Sequence, residues 1–148
     1  MGSAITNLLK GTLGRARPDA EPDMRPSDFQ FGEGFTTKSR QSFPSGHTTT
    51  AFAAAASVTS EVHRMWPKYT WYVGPALYAG ATLVGVSRMY HNRHWASDVV
   101  AGAAIGTFTG WKVTRFNHNN PGNRLDRWLL RARPTAGPDG SVALSWTF

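Results

Sequence analysis

The sequence contains no cysteine, so neither a disulfide framework nor a thiolate metal site can be built from it. Acidic residues are scarce: there are nine against sixteen Lys and Arg, and five of the nine (Asp19, Glu21, Asp23, Asp28, Glu33) fall in one stretch. No carboxylate cluster accompanies the His91–His94 pair, so a metal site there lacks the rest of its donor set. The remainder is strongly basic, with a net charge of +7. Such a surface suits phosphorylated small molecules, anionic headgroups or nucleic acid, and charge alone does not choose among them. Long hydrophobic runs are also missing. The longest, Trp71 to Val86, has sixteen residues, against about 20 for a membrane span. It predicts a helix buried in a bundle, with membrane contact left open. A chain of 148 residues predicts one domain with a sizeable core.

What is present is mostly helical periodicity. Ile5, Leu8, Leu9 and Leu13 predict a helix over 4–16, ended by Pro18, with Lys10 and Arg17 two turns apart on one face. Residues 19–43 form a long connector carrying Phe29, Phe31, Phe35 and Phe43, either a lid over a pocket or a strap packed across the helices. Ser45 is typed as an N-cap for an alanine-rich helix running to Val62, whose first-turn amides make an anion site. Gly46 lets a ligand approach that backbone, and His47 stands beside it. The apolar run makes a third helix ending near Arg88.

A fourth helix is predicted from His94 to about Phe116, where Asp98, Gly102, Gly106 and Gly110 form a stripe for close helix approach. On that helix Asp98 shares the face of His94, so its carboxylate can take one ring N–H and leave the other nitrogen as nucleophile or base. The composition changes near residue 118, dividing the chain into a core, 1–118, and an extension, 119–148. The extension predicts a short helix from Asp126 to Arg133. It also predicts a strand from Ser141 to Phe148, with Val142, Leu144, Trp146 and Phe148 on one face and a partner required.

Three segments occur in order: Lys10-x6-Arg17-Pro18, Pro44-Ser45-Gly46-His47 and Ser87-Arg88-x5-His94-x3-Asp98. Together they resemble the signatures of the type 2 phosphatidic acid phosphatase superfamily, which also contains the bacterial acid phosphatases and the vanadium haloperoxidases. The resemblance covers residues 10–98 directly. With the helical pattern it gives an all-α bundle of about four main helices, to which the alternating 141–148 segment adds a short C-terminal strand, and it implies the catalytic half of a longer membrane-associated or periplasmic protein. Its active end would face outward at the bacterial inner membrane or lie in the periplasm.

The resemblance further implies that Lys10, Arg17, Ser45, Gly46 and Arg88 hold a phosphate. His94 would attack phosphorus to give a covalent phosphohistidine, Asp98 would orient it, and His47 would protonate the leaving alkoxide, without a metal or other cofactor. The implied partner is a phosphorylated small molecule or a lipid phosphate, isoprenoid pyrophosphates included, and the phenylalanines of the connector hint at an apolar tail. Two other readings use the same residues. Vanadate in the anion pocket, ligated by His94, would make a haloperoxidase. A non-catalytic basic module would bind a membrane surface or nucleic acid, although dispersed charges and the lack of a nucleic-acid motif weigh against nucleic acid. Oligomeric state has no signal in the sequence.

Overall fold

A computed structural model describes residues 2–20, 25–120, 132–136 and 142–146. Four helices carry the fold: α1 (Gly2–Leu13), α2 (Gly46–Met65), α3 (Thr70–Tyr90) and α4 (Ala96–Asn119). The chain divides into two compact units, Met1–Thr114 and Arg115–Phe148. Among the described residues no helix is long and apolar enough to cross a membrane.

The first helix stops sooner than its apolar spacing implies. Gly14 takes a left-handed conformation, φ 55°, and its N–H returns to the Lys10 carbonyl at 3.2 Å, a glycine cap. A side chain there would also strike the Gln30 carbonyl, because a Cβ would lie 1.9 Å from that oxygen. Residues 14–17 then run extended between the two arms of the connector. On one side Gln30 N–H donates to Gly14 O and Ala16 N–H donates to Asp28 O; on the other, Ser42 N–H donates to Arg15 O and Arg17 N–H to Ser39 O. Arg17 is therefore not on the helical face of Lys10, as the spacing suggested. The described part of the connector is a strap, tied by backbone hydrogen bonds to the exit of α1.

The glycine stripe does what its spacing predicts. A Cβ on Gly102 would fall 2.7 Å from the Ser45 carbonyl, and on Gly106 and Gly110 2.3 Å from the carbonyls of Thr49 and Ala53. So α4 lies backbone against backbone on the first half of α2, one glycine per helical turn. Gly106→Ala is expected to cost about 1–3 kcal/mol by overpacking this seam. Gly80 makes the control. It is exposed on α3 with open space around its Cβ, so Gly80→Ala is expected to gain about 0.5–1 kcal/mol from helix propensity. Urea unfolding of the two variants checks both signs.

The third helix departs from the expectation of burial. Its buried residues are the small ones, Gly74, Ala81 and Gly85. Trp71, Tyr72 and Leu83 point outward at 83%, 77% and 69% exposure. The reason is again close approach: Cβ atoms on Gly74 and Gly85 would meet Thr59 of α2 and Val99 of α4, so contact is made through glycine and the large side chains are left outside.

The second unit contains an antiparallel hairpin, β1 (Ala132–Ala136) with β2 (Val142–Trp146), in which Ala132 pairs with Trp146, Pro134 with Leu144 and Ala136 with Val142. The C-terminal strand thus has a partner in its own chain. Ala132 and Arg133, expected to end a helix, belong to that partner strand; the rest of the expected helix, 126–131, lies outside the described residues, as does Phe148.

Candidate active site

Two of the predicted residues are buried side by side where α4 begins. His94 is 5% exposed and Asp98 is fully buried. His94 precedes the helix rather than opening it, so the one-face spacing does not apply. Its Nδ1–H donates to the Ser42 carbonyl at 2.7 Å, while the Asp98 carboxylate stands 3.7 Å from the same nitrogen, beyond hydrogen-bond range. The ring N–H thus goes to a carbonyl of the strap, with the Asp98 carboxylate in ion-pair range of the same nitrogen. That bond leaves Nε2 as the free ring nitrogen.

Asp98 is spent on other partners. Its oxygens accept from the Arg15 guanidinium, from the Ser42 hydroxyl at 2.5 Å and from the Trp95 backbone N–H at 2.9 Å. The last of these is half of a capping box, with the helix N-terminus favouring the negative charge. Burial alone would raise the Asp98 carboxyl, but His94, the Ser42 hydroxyl, the Trp95 N–H and the Arg15 cation together hold it below the ordinary carboxylate range.

The start of α2 lies directly opposite, since Ser45 N–H donates to the Asp98 carbonyl at 3.0 Å. Ser45 occupies the N-cap position without a capping side-chain bond. Its buried oxygen instead accepts the Thr48 hydroxyl at 2.9 Å, leaving its own proton for a ligand. The amides of Gly46, His47 and Thr48 are the orphan donors of the first turn. Lys10 reaches the same place, its Nζ 3.7 Å from where a Gly46 Cβ would sit. Thr6, Asn7, Lys10, Gly46, His47 and Val84 line a cleft of about 520 Å³ there.

The other cations are not among the residues lining this cleft but lie close enough to act on its His47 and Lys10. His47, which is exposed, is held below its ordinary pKa by partial desolvation and then by Arg88, His94, Lys10 and Arg17. Lys10 is lowered by burial and by the Arg17 cation, against the opposing pull of Asp98. The Nε atoms of Arg17 and Arg88 are buried with no partner among the described residues. Unpaired buried guanidinium donors around an open helix N-terminus are a site built for an anion with several oxygens.

The sequence profile of the PAP2 superfamily matches residues 1–121, a span that includes every one of these groups. The chain belongs to the PAP2 superfamily. Among its PAP2 relatives, the lipid A 1-phosphatase of Porphyromonas gingivalis is 39% identical over 110 residues, 74% of this chain and 20% of that protein. The lipid A 1-phosphatase of Rhizobium etli is 38% identical over 109 residues, 72% of this chain and 40% of that protein. The chain therefore spans two fifths or less of the length of these relatives. The crystal structure of a transmembrane PAP2-type phosphatidylglycerolphosphate phosphatase from Bacillus subtilis superposes with a TM-score of 0.53 at 25% identity, covering 83% of this chain and 58% of the other.

All eight residues singled out in the sequence meet at this end of the PAP2 helices. Sequence reasoning missed Arg15 and Ser42. Arg15 falls among the unspecified positions of the first signature and Ser42 lies just ahead of the second, so neither carried a motif signal. The available clue to Arg15 was a cation in a chain where Asp98 is among the few acids outside one loop.

Proposed function

We propose that this PAP2 site hydrolyses lipid phosphates through a covalent phosphohistidine. Lys10, Arg17 and Arg88 hold the phosphoryl oxygens together with the Ser45 hydroxyl and the first amides of α2. Each charge-assisted bond is worth roughly 1.5–3 kcal/mol. Phosphoryl transfer depends mainly on such positioning and charge stabilisation. His94 Nε2 attacks phosphorus in line with the ester oxygen; the phosphorus–oxygen bond breaks as the phosphorus–nitrogen bond forms, and His47 gives its proton to the departing alkoxide. Water then attacks phosphorus, His47 takes a proton from it, and phosphate leaves.

The observation that carries this reading is the convergence of two histidines and three cations on one helix N-terminus, with buried arginine donors unpaired. Support for a lipid phosphate comes from the relatives, lipid A 1-phosphatases and a phosphatidylglycerolphosphate phosphatase, and from the exposed apolar side chains of α3 and α4, which suit association with a membrane surface. The test is phosphate release from a lysophosphatidic acid and from glycerol phosphate in detergent with excess EDTA. Release from the lipid, unaffected by EDTA, is expected. Equal rates on both substrates would remove the lipid preference, and no release from a folded sample would overturn the reading.

The pH dependence follows from His47. In the empty site its lowered pKa keeps it neutral at neutral pH, whereas a general acid must carry the proton. A bound phosphate offsets Arg88, Lys10 and Arg17 and raises it again. The alkaline limb of kcat/KM, which reports the free enzyme, is therefore expected to fall at a pH below the ordinary histidine range, and that of kcat at a higher pH. Both limbs should vanish in His47→Ala, which leaves the substrate's own ionisation in place. Coincident limbs in the wild type would assign the acid elsewhere.

A further inference from the structure

An ordinary helix N-cap spends its side-chain oxygen on the backbone N–H two or three residues further on. Ser45 makes no such capping bond, and its oxygen takes the hydroxyl of Thr48 at 2.9 Å instead. Thr48 is the residue whose amide that cap would have used. Its side chain stands in for its own backbone, so the Thr48 amide and the Ser45 proton are both left without an acceptor among the described residues. The bond also departs from the pattern of the other helical threonines. Thr6, Thr49, Thr82, Thr109 and Thr114 each donate to the carbonyl four residues back, whereas Pro44, four back from Thr48, precedes its helix. Thr48 and Ser45 are both fully buried, and Thr48 is wedged between two neighbouring helices. A Cβ on Gly102 of α4 would lie 3.3 Å from Thr48 Cβ, and one on Gly85 of α3 would lie 3.5 and 3.6 Å from its Cγ2 and Oγ1. Branching at Cβ leaves few rotamers, and these two contacts hold the side chain in the one that reaches Ser45.

Resting on the reading of Ser45 as a phosphate ligand given above, we infer that Thr48 is a positioning residue that fixes the polarity of the Ser45 hydroxyl, leaving its proton for a phosphoryl oxygen. An ionised phosphate oxygen only accepts, so a serine helps to hold it only if a proton, and not a lone pair, faces the ligand. By donating, Thr48 fills a lone pair of Ser45 and leaves the proton as the part still to be satisfied. It also keeps that oxygen from capping the helix, so the amide of position 48 stays open to the same anion. One buried hydroxyl thus makes two donors available to an anion that it need not touch. Without it the Ser45 oxygen turns onto the position-48 amide as an ordinary cap, which takes that donor from the anion and swings the hydroxyl off its line.

Thr48→Val keeps the branched shape and deletes the hydroxyl. Inorganic phosphate, titrated calorimetrically, is expected to bind it about 10-fold more weakly than wild type, the loss of a charge-assisted hydrogen bond. Its urea midpoint is expected at or above that of wild type because the ordinary cap forms; a threonine that only packed would lower stability and leave affinity alone. Thr48→Ser restores the hydroxyl and is expected to bind phosphate within about threefold of wild type. Thr48→Ala cannot overpack the junction and is expected to match Thr48→Val in affinity whatever its stability. In a Ser45→Ala background, Thr48→Val is expected to cost less than about twofold more, since Thr48 acts through Ser45. Unchanged affinity in both Thr48→Val and Thr48→Ala would overturn the inference. So would a loss in Thr48→Ser as large as in Thr48→Val, or costs that multiply over Ser45→Ala. Phosphate binding needs no turnover. A wild type that binds phosphate but releases none from an ester would remove the phosphatase reading, while the same series would still decide the role of Thr48; a folded wild type that binds no phosphate would overturn that role.

Discussion

His94→Ala is expected to abolish phosphate release, by about 10⁴-fold or more, with the helical fold intact. The size follows from the proposed role. A clamp residue lost from a set of three leaves two cations and a helix N-terminus to hold the phosphoryl group, but a nucleophile has no understudy in a pocket where His47 is reserved for the proton. His94 also has one productive nitrogen, because Nδ1 is committed to the Ser42 carbonyl. Its side chain contributes one hydrogen bond and a contact with the Asp98 carboxylate, so the variant should lose some stability and remain folded.

An alkaline quench of the wild type with ³²P-labelled lipid phosphate should trap labelled protein, since phosphohistidine survives base and is lost in acid. His94→Ala should trap none. His47→Ala makes the contrast: the loss is expected to be about 10²–10⁴-fold, with label still trapped and more of the rate retained on an aryl phosphate, whose leaving group needs no proton. Label retained by His94→Ala would place the nucleophile elsewhere.

Asp98→Ala is expected to be the most destabilising single change in the core, by about 3–5 kcal/mol. Truncation strands the Arg15 cation in a buried aromatic cage and strips acceptors from the Ser42 hydroxyl and the Trp95 N–H. An uncompensated buried charge costs far more than the intact pair contributes. Asp98→Asn keeps the shape and part of the bonding and should lose less. Urea unfolding at neutral pH orders the three proteins, and an Asp98→Ala midpoint equal to wild type would show that the pair contributes nothing.

The wild type should display the same weakness in acid. Because the folded-state pKa of Asp98 lies below its unfolded value, the unfolded chain binds the proton first. The stabilisation is complete above the unfolded value and is lost as pH falls through the folded one. His47 acts in the same direction at higher pH, as its folded pKa is also lowered.

Helix spans were legible where one physical rule acted alone. The alanine-rich α2 and the glycine stripe of α4 announced themselves by propensity and period, and the free amides at Gly46 followed from the orphan donors of any helix start. The sequence misled where a backbone event intervened. A left-handed Gly14 cut α1 short, so Lys10 and Arg17 reach the pocket from a helix and an extended segment rather than from one face. His94 stands just ahead of α4, so its spacing to Asp98 could not be read as a turn of helix. The strap was the least legible part, for its ties to residues 14–17 are main-chain hydrogen bonds and leave no side-chain pattern. The same gap hid the Ser42 carbonyl, which no residue type encodes. Roles for the eight motif residues came from resemblance; their convergence came from the structure.

The seam between α2 and α4 has a mechanical consequence. Each glycine is keyed against a carbonyl of the neighbouring helix, so α4 can neither roll nor slide along α2 without driving atoms into one another. His47 rides on the first of these helices, and His94 is carried just ahead of the second. The separation of His94 and His47, the proposed nucleophile and acid, is thus gauged by two backbones. If the proposed substrate is a bulky lipid phosphate, the room to admit it has to come from α1, the strap or the outer face of α3 rather than from this seam.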